Sequence, residues 1–173
     1  LLENLLEWSR MQRGAMEYYP EKIDLYGLAL QVIQPLLAAA QKKQINVVTN
    51  ISNNTWANID KYMIATVFRN LVSNAIKFTN KKGSIIIEAM TKDAEHIVKI
   101  IDNGTGMNEG QIKKLFRIDS NVSTSGTEGE VGTGLGLLLC KEFIDKHQCK
   151  IWVESIPGEG STFYFTVPTF TEN

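Results

Sequence analysis

The chain has 173 residues, 43% of them apolar and 21% charged, with a formal net charge of −1. That length suits one domain with a short appendage and is ample for a hydrophobic core. Near-neutral charge argues against nucleic acid or anionic lipid as the main partner. No apolar run approaches the roughly 20 residues that a membrane helix needs, and no signal or transit segment opens the sequence. The first residue, Leu1, already sits inside a helical pattern, so the sequence is expected to be a piece of a longer chain.

Residues 1–16 read as a helix, with Leu1, Leu5 and Trp8 recurring at helical spacing beside Leu2 and Leu6. So short a leucine-rich helix needs a packing partner. Tyr18-Tyr19-Pro20 ends it. A second helix is expected from Leu25 to Lys43, with Pro35 marking a kink or break. Ile45–Ile51 is β-branched and reads as a strand. Asp60 can cap a long helix running to Thr79, closed by Asn80 and Gly83. Strands are expected at Ser84–Thr91 and His96–Asp102. The glycine-rich, polar stretch 104–136 holds one short helix near Gln111–Phe116. A helix at Leu135–Lys146 and a hairpin, Lys150–Ser155 with Ser161–Val167, complete the chain. Mixed elements without regular alternation argue for an α/β sandwich with a mixed sheet.

Three segments carry chemical information. The helix 61–79 is apolar over most of its circumference, yet Thr66, Asn70, Ser73, Asn74 and Lys77 fall on one narrow stripe. Such a stripe faces water, a ligand or paired polar groups, because an unpaired buried polar group costs about 1–3 kcal/mol. A solvent-facing edge is the plain reading. A hydrated Mg²⁺ beside phosphates, served by two asparagines and a lysine, is the other. Next comes Asp102-Asn103-Gly104-Thr105-Gly106-Met107 after an apolar strand. A capped turn explains it. So does a carboxylate that accepts from an exocyclic amine, with glycines admitting a planar ligand close to the backbone. The third, Gly132-Thr133-Gly134-Leu135-Gly136-Leu137, runs into a helix, where backbone N–H groups and the helix dipole favour an anion. It is not the first turn of a dinucleotide-binding βαβ unit, and no Walker lysine is present.

Taken in order, N-x-x-x-N-A-x-K-F, D-N-G-T-G-M, G-T-G-L-G-L and G-x-G-S-T-F resemble the catalytic ATP-binding domain of two-component sensor histidine kinases. That domain belongs to a wider group with gyrase, MutL-type and heat-shock chaperone ATPases. The resemblance spans about residues 20–170. It implies a two-layer α/β sandwich of the Bergerat type, a mixed sheet with helices on one face, preceded by an isolated helix. Residues 1–17 look like the end of the second helix of the dimerisation and phosphoacceptor hairpin, 18–24 a linker, and 25–170 the catalytic domain.

The resemblance implies ATP and Mg²⁺ as cofactors. Asp102 matches the aspartate receiving the adenine amino group, with Gly104 and Gly106 close to the base. Thr162 matches a threonine supporting that contact. Asn74 matches the magnesium-binding asparagine, while Asn70 and Lys77 match the other polar positions near the phosphates. Gly132, Thr133, Gly134, Leu135 and Gly136 match the second glycine box, beyond a lid at about Asn108–Val131. Leu115-Phe116-Arg117 occupies a condensed phenylalanine box. The implied reaction moves the ATP γ-phosphoryl to a histidine of the hairpin, for relay to a response regulator receiver domain. The parent would be a cytoplasmic homodimer, anchored to a membrane or not, with no role for nucleic acid.

Three features depart from the family. The second aromatic of the phenylalanine box is missing. Gln148 and Cys149 stand where two glycines are usual, which strains any φ > 0 position there. No histidine has the H-[DE]-x-x-x-P setting of a phosphoacceptor. His96 is expected as an exposed strand residue, and His147 as the end of a helix, favourable to its dipole. Cys140 is expected to be a buried helix residue, and zinc and disulfide chemistry are not indicated. A hydrolysing relative would carry a glutamate where Asn70 stands. A nucleotide-free regulatory module and a serine kinase of the same group are the remaining alternatives.

Overall fold

The computed structural model describes residues 16–117, 125–130 and 134–172. The expected opening helix, apart from Met16, lies outside them. Strand β1 (Glu21–Asp24) leads into α1 (Leu25–Ile33), whose N-terminus Asp24 caps by accepting from Tyr26 N and Gly27 N. Pro35 then acts as expected. It sits in a 3₁₀ turn, Gln34–Leu36, that separates α1 from α2 (Leu37–Lys42). Strands β2 (Asn46–Asn50) and β3 (Trp56–Ile59) follow, then the long α3 (Lys61–Phe78), capped by Asp60 through Met63 N at 3.1 Å.

The remaining elements are β4 (Ser84–Lys92), β5 (Glu95–Asp102), the short α4 (Glu109–Ile112), α5 (Gly136–Lys146), β6 (Ile151–Ile156) and β7 (Gly160–Pro168). Five strands form one mixed sheet in the order β2-β4-β5-β7-β6, with β2 and β4 parallel and the other pairs antiparallel. Ile85, Ile87, Val98, Ile100 and Phe165 project from one face and are fully buried, while their alternates Ile86, Lys99 and Tyr164 are only half-buried. Helices therefore cover a single face. Phe68 of α3 meets Phe165 edge-on at 5.2 Å, joining the two layers.

Several local expectations change. Strands β1 and β3 pair in a separate two-stranded sheet that the sequence reading does not contain. Four residues apiece are too few for a periodicity to register. Residues 18–24, expected as a linker, thus include a paired strand, and Tyr19 N donates to Asp60 Oδ2 at 3.0 Å. Helix α4 starts two residues earlier than expected because Asn108 and Gln111 form a capping box. His96 is buried, not exposed. Its Nε2 contacts the Trp56 carbonyl at 2.8 Å, and its Nδ1 lies 2.9 Å from Thr91 Oγ1, tying the small sheet to the large one. Gln148 does adopt φ +56°, the left-handed conformation a glycine would take without strain.

His147 closes α5 as expected, but burial overrides the helix dipole. Asp60 N donates to its Nε2 at 3.0 Å, and Nδ1–H donates to the Phe143 carbonyl at 2.7 Å, which fixes a neutral tautomer. Burial pushes the His147 pKa below its ordinary 6.5, opposed by the Phe143 carbonyl and Asp60. The unfolded chain therefore takes up this proton first, and stability falls as pH drops below about 6.5 toward the folded value. Comparing thermal midpoints of wild type and His147→Gln between pH 8 and 5.5 should show the steeper loss in wild type. Parallel curves would remove His147 as the cause.

Candidate nucleotide-binding site

Strand parity brings the first group together. Asp102 ends β5 with its carboxylate buried among apolar residues of the inner sheet face. Gly104 N donates to its Oδ1 at 2.9 Å, and the Ser161 N–H also bonds the carboxylate. Burial raises the Asp102 pKa above the ordinary carboxylate value, and those two bonds oppose the rise. A raised carboxyl pKa means stability that is full below pH 3.8 and is lost as pH rises through the folded value. At neutral pH the chain thus holds a charge that costs it stability. A carboxylate has about four acceptor positions, so two donors do not saturate it.

The loop after Asp102 fits only because it is glycine-rich. An ideal Cβ on Gly104 would lie 2.3 Å from the Phe78 carbonyl oxygen, and one on Gly106 only 1.9 Å from that of Ile156. Gly106 also has φ +64°. Thr105 N donates to Phe78 O at 3.1 Å, Gly158 N to Thr105 O at 2.8 Å, and Met107 N to Ser155 Oγ at 2.8 Å. Ser155 Oγ in turn donates to Gly160 O and lies 2.9 Å from Ser161 Oγ. One hydroxyl therefore links this loop to both strands of the last hairpin.

Thr162 does not join this group. It pairs with Ile101, whereas Ser161 pairs with Asp102, so Thr162 points from the opposite sheet face. The hydroxyl beside the carboxylate belongs to Ser161, which is buried. The register of β5 with β7, which the sequence does not contain, decides between the two hydroxyls.

Helix α3 supplies the second group. Thr66 at the head of the polar stripe is fully buried and accepts from Arg69 Nη2 at 3.1 Å, so it belongs to the paired polar groups. Asn70 Nδ2 donates to the Thr66 carbonyl at 2.9 Å, and its Oδ1 faces the start of α5. That oxygen lies 2.6 Å from where a Cβ on Gly136 would be, so glycine there lets the N-terminus of α5 approach α3. Asn74 and Lys77 are half-buried one and two turns further on, with Ser73 exposed beside them. Burial lowers the Lys77 pKa, and Glu130 opposes that effect.

At the start of α5, Gly134 has φ +70° and open space where its Cβ would be. Leu135 at the N-cap position supplies no side-chain cap, and the first turn carries no acidic residue. Gly132 and Thr133 lie outside the described residues. Leu115 and Phe116 pack against the core, and Arg117 is exposed. Cys140 and Cys149 are buried and unpaired. Among the described residues no His, Cys, Asp and Glu cluster could hold a metal ion.

A one-faced mixed sheet with a buried carboxylate at the end of β5, walled by glycines, defines the Bergerat class of α/β sandwich. The chain belongs to the family of histidine kinase-, DNA gyrase B- and HSP90-like ATPases, whose model matches residues 59–171. It is 34% identical over 172 residues to the adaptive-response sensory kinase SasA of Prochlorococcus marinus strain MIT 9301, covering 98% of this chain and 46% of that one. The SasA of Synechocystis sp. strain PCC 6803 is 31% identical over 174 residues, with 98% and 44% covered. The chain therefore spans a little under half the length of these relatives. Among solved structures, the catalytic domain of histidine kinase ThkA superposes with TM-score 0.76 at 29% identity, covering 89% of this chain and 97% of that domain. ThkA in complex with the response regulator protein TrrA gives TM-score 0.74 at 25% identity, covering 98% of this chain and 48% of that one.

Two of the glycines with positive φ, Gly106 and Gly134, separate steric from conformational cost. Gly106→Ala drives a methyl into a carbonyl and should cost about 2–4 kcal/mol, whereas Gly134→Ala meets open space and should cost about 1–2 kcal/mol. Chemical denaturation of the two variants checks the ranking. Equal losses would mean that the loop around Gly106 is free to shift.

Proposed function

We propose that this chain is the ATP-binding catalytic domain of a sensor histidine kinase, which moves the γ-phosphoryl group to a histidine on the dimerisation hairpin. The observation that carries this reading is the buried, incompletely paired Asp102 carboxylate at a glycine-walled strand end. An acceptor that costs stability when empty is suited to the 6-amino group of adenine, with the Ser161 hydroxyl alongside. Gly104 and Gly106 leave room for the base. Kinase names among the relatives, and the response regulator bound to ThkA, support a receiver domain as the next acceptor; a homodimeric, cytoplasmic parent belongs to the same proposal. On this reading residues 1–17 end the hairpin and the catalytic domain follows it.

The phosphate chain would run along α3 toward α5. Asn70 and Asn74 offer neutral amide oxygens and Lys77 a point charge, while the glycine-bearing start of α5 offers backbone N–H groups. This donor set fits magnesium brought in with the nucleotide and largely hydrated, with Asn74 as the protein's ligand. When bound, the ion neutralises charge on the phosphates. The residues themselves position the phosphate chain and face its charge, which is most of what phosphoryl transfer asks of a protein. An amide at Asn70 cannot take a proton from water, so the site lacks the general base of a hydrolysing relative. A neutral imidazole acceptor needs no such base.

Both described histidines have their ring nitrogens engaged inside the fold. The chain alone should therefore bind Mg-ATP without labelling itself, and should turn over ATP slowly. Adding the hairpin, fused or in trans, should produce acid-labile phosphate from γ-labelled ATP, more weakly in trans because the tether's effective concentration is lost. Asn74→Ala should abolish that labelling and keep most of the affinity for adenosine. Strong self-labelling, or fast multiple turnover by the chain alone, would overturn the kinase reading.

A further inference from the structure

Lys43, the residue after α2, is the one lysine among the described residues that is buried, at 3% exposure. Its Nζ lies within hydrogen-bond reach of four acceptors, shared among its three N–H groups: the carbonyls of Ile76 at 2.8 Å and Lys77 at 3.1 Å, Thr127 Oγ1, and Glu130 Oε1 at 3.1 Å. The two carbonyls belong to the last turn of α3, where no intrahelical donor reaches them and where a cation is favoured. Thr127 and Glu130 belong to the segment 125–130 that precedes the second glycine box. Thr127 N also donates to Lys77 O at 3.1 Å, and Gly126 N to Glu130 O at 2.9 Å. A Cβ on Gly126 would lie 2.3 Å from Glu130 Oε2 and 2.5 Å from Lys77 Cγ, so the carboxylate and the stem of Lys77 flank one glycine. Glu130 thus places a negative charge beside the end of α3 that the phosphates would approach.

We infer that Lys43 is a positioning residue for the triphosphate end of the site: it clamps residues 126–130 onto the end of α3 and neutralises Glu130, so that carboxylate does not repel the phosphates. The inference rests on the nucleotide-binding reading above. With Lys43 present the pair, enclosed at Lys43 and partly exposed at Glu130, is neutral overall. Without it, Glu130 confronts a polyanion with an unbalanced charge, and the segment loses one of the donors that hold it. Adenosine carries no charge, so the Glu130 effect falls on ATP alone, and Asp102 and Ser161 make their contacts to Gly104, to each other and to Ser155 rather than to residues 126–130.

The test is an NMR-shift titration of the 173-residue chain with ATP and with adenosine, in the parent, Lys43→Met, Glu130→Gln and the double variant. Lys43→Met should lose on the order of tenfold in ATP affinity and less than about twofold in adenosine affinity. Glu130→Gln keeps an acceptor for Lys43 and removes the charge, so ATP affinity should rise about twofold or more with adenosine unchanged. The double variant should recover most of the Lys43→Met loss. Equal losses for ATP and adenosine, or no recovery in the double variant, would overturn the inference and leave Lys43 a structural cap. If Lys43→Met does not fold, Glu130→Gln decides alone: unchanged or weaker ATP binding overturns it. A parent that binds neither ligand overturns the nucleotide reading itself.

Discussion

The C-terminal end of α3 holds the site together. A helix leaves its last carbonyls without intrahelical donors, and here the helix's own C-cap takes one and three distant parts of the fold take the others. Ala75 O accepts from Thr79 N, Ile76 O from Lys43 Nζ, Lys77 O from Thr127 N, and Phe78 O from Thr105 N. The adenine-side loop, the segment before the second glycine box and the end of α2 are thereby fixed to one helical turn. The side chains of Asn74 and Lys77 project from that same turn and the one before it. Backbone hydrogen bonding that any helix must complete somewhere is used to set the distance between the two ends of a ligand site.

Holding the site ready carries a cost in stability. Asp102 is kept charged against burial, and the glycines around it forgo side-chain packing so that backbone can touch backbone. Those losses are offset by the apolar core beneath, where Phe68, Phe143, Phe165 and Ile64 are fully enclosed. Two histidines do structural work at the margins. His96 joins the small sheet to the large one, and His147 joins the end of α5 to the start of α3. Both ends of α3 are thus secured by groups distant in sequence, which suits a helix that presents polar side chains to a ligand.

Much of this was legible in the sequence. The apolar periodicity of α3, the alternation of β4 and β5, and Pro35 in its 3₁₀ turn each follow from a local rule. The ordered motifs singled out Asp102, Asn70, Asn74, Lys77 and Gly136, and in the structure Gly136 meets Asn70 while Asp102 ends β5. What escaped depends on pairing that no single segment contains. Ser161 rather than Thr162 faces Asp102 because a register of one residue exchanges sheet faces. His96 is buried where the two-stranded sheet of β1 with β3 meets the large sheet, through the Trp56 carbonyl and the bridge from Ala57 to Thr169. Lys43 looks like any lysine at a helix end until the carbonyls of α3 are seen above it.

The account stands on Asp102 as the acceptor of an exocyclic amine, and nucleobase exchange addresses that directly. Inosine triphosphate replaces the 6-amino donor of ATP with a carbonyl and leaves the phosphates unchanged. A buried mismatch of this kind costs about 1–3 kcal/mol, so the chain should prefer ATP by roughly 5- to 150-fold, measured by calorimetry in the presence of Mg²⁺. In Asp102→Asn, whose amide can donate to the carbonyl, that preference should collapse toward unity. Equal affinities in the parent, or a preference that the substitution leaves intact, would contradict the assignment.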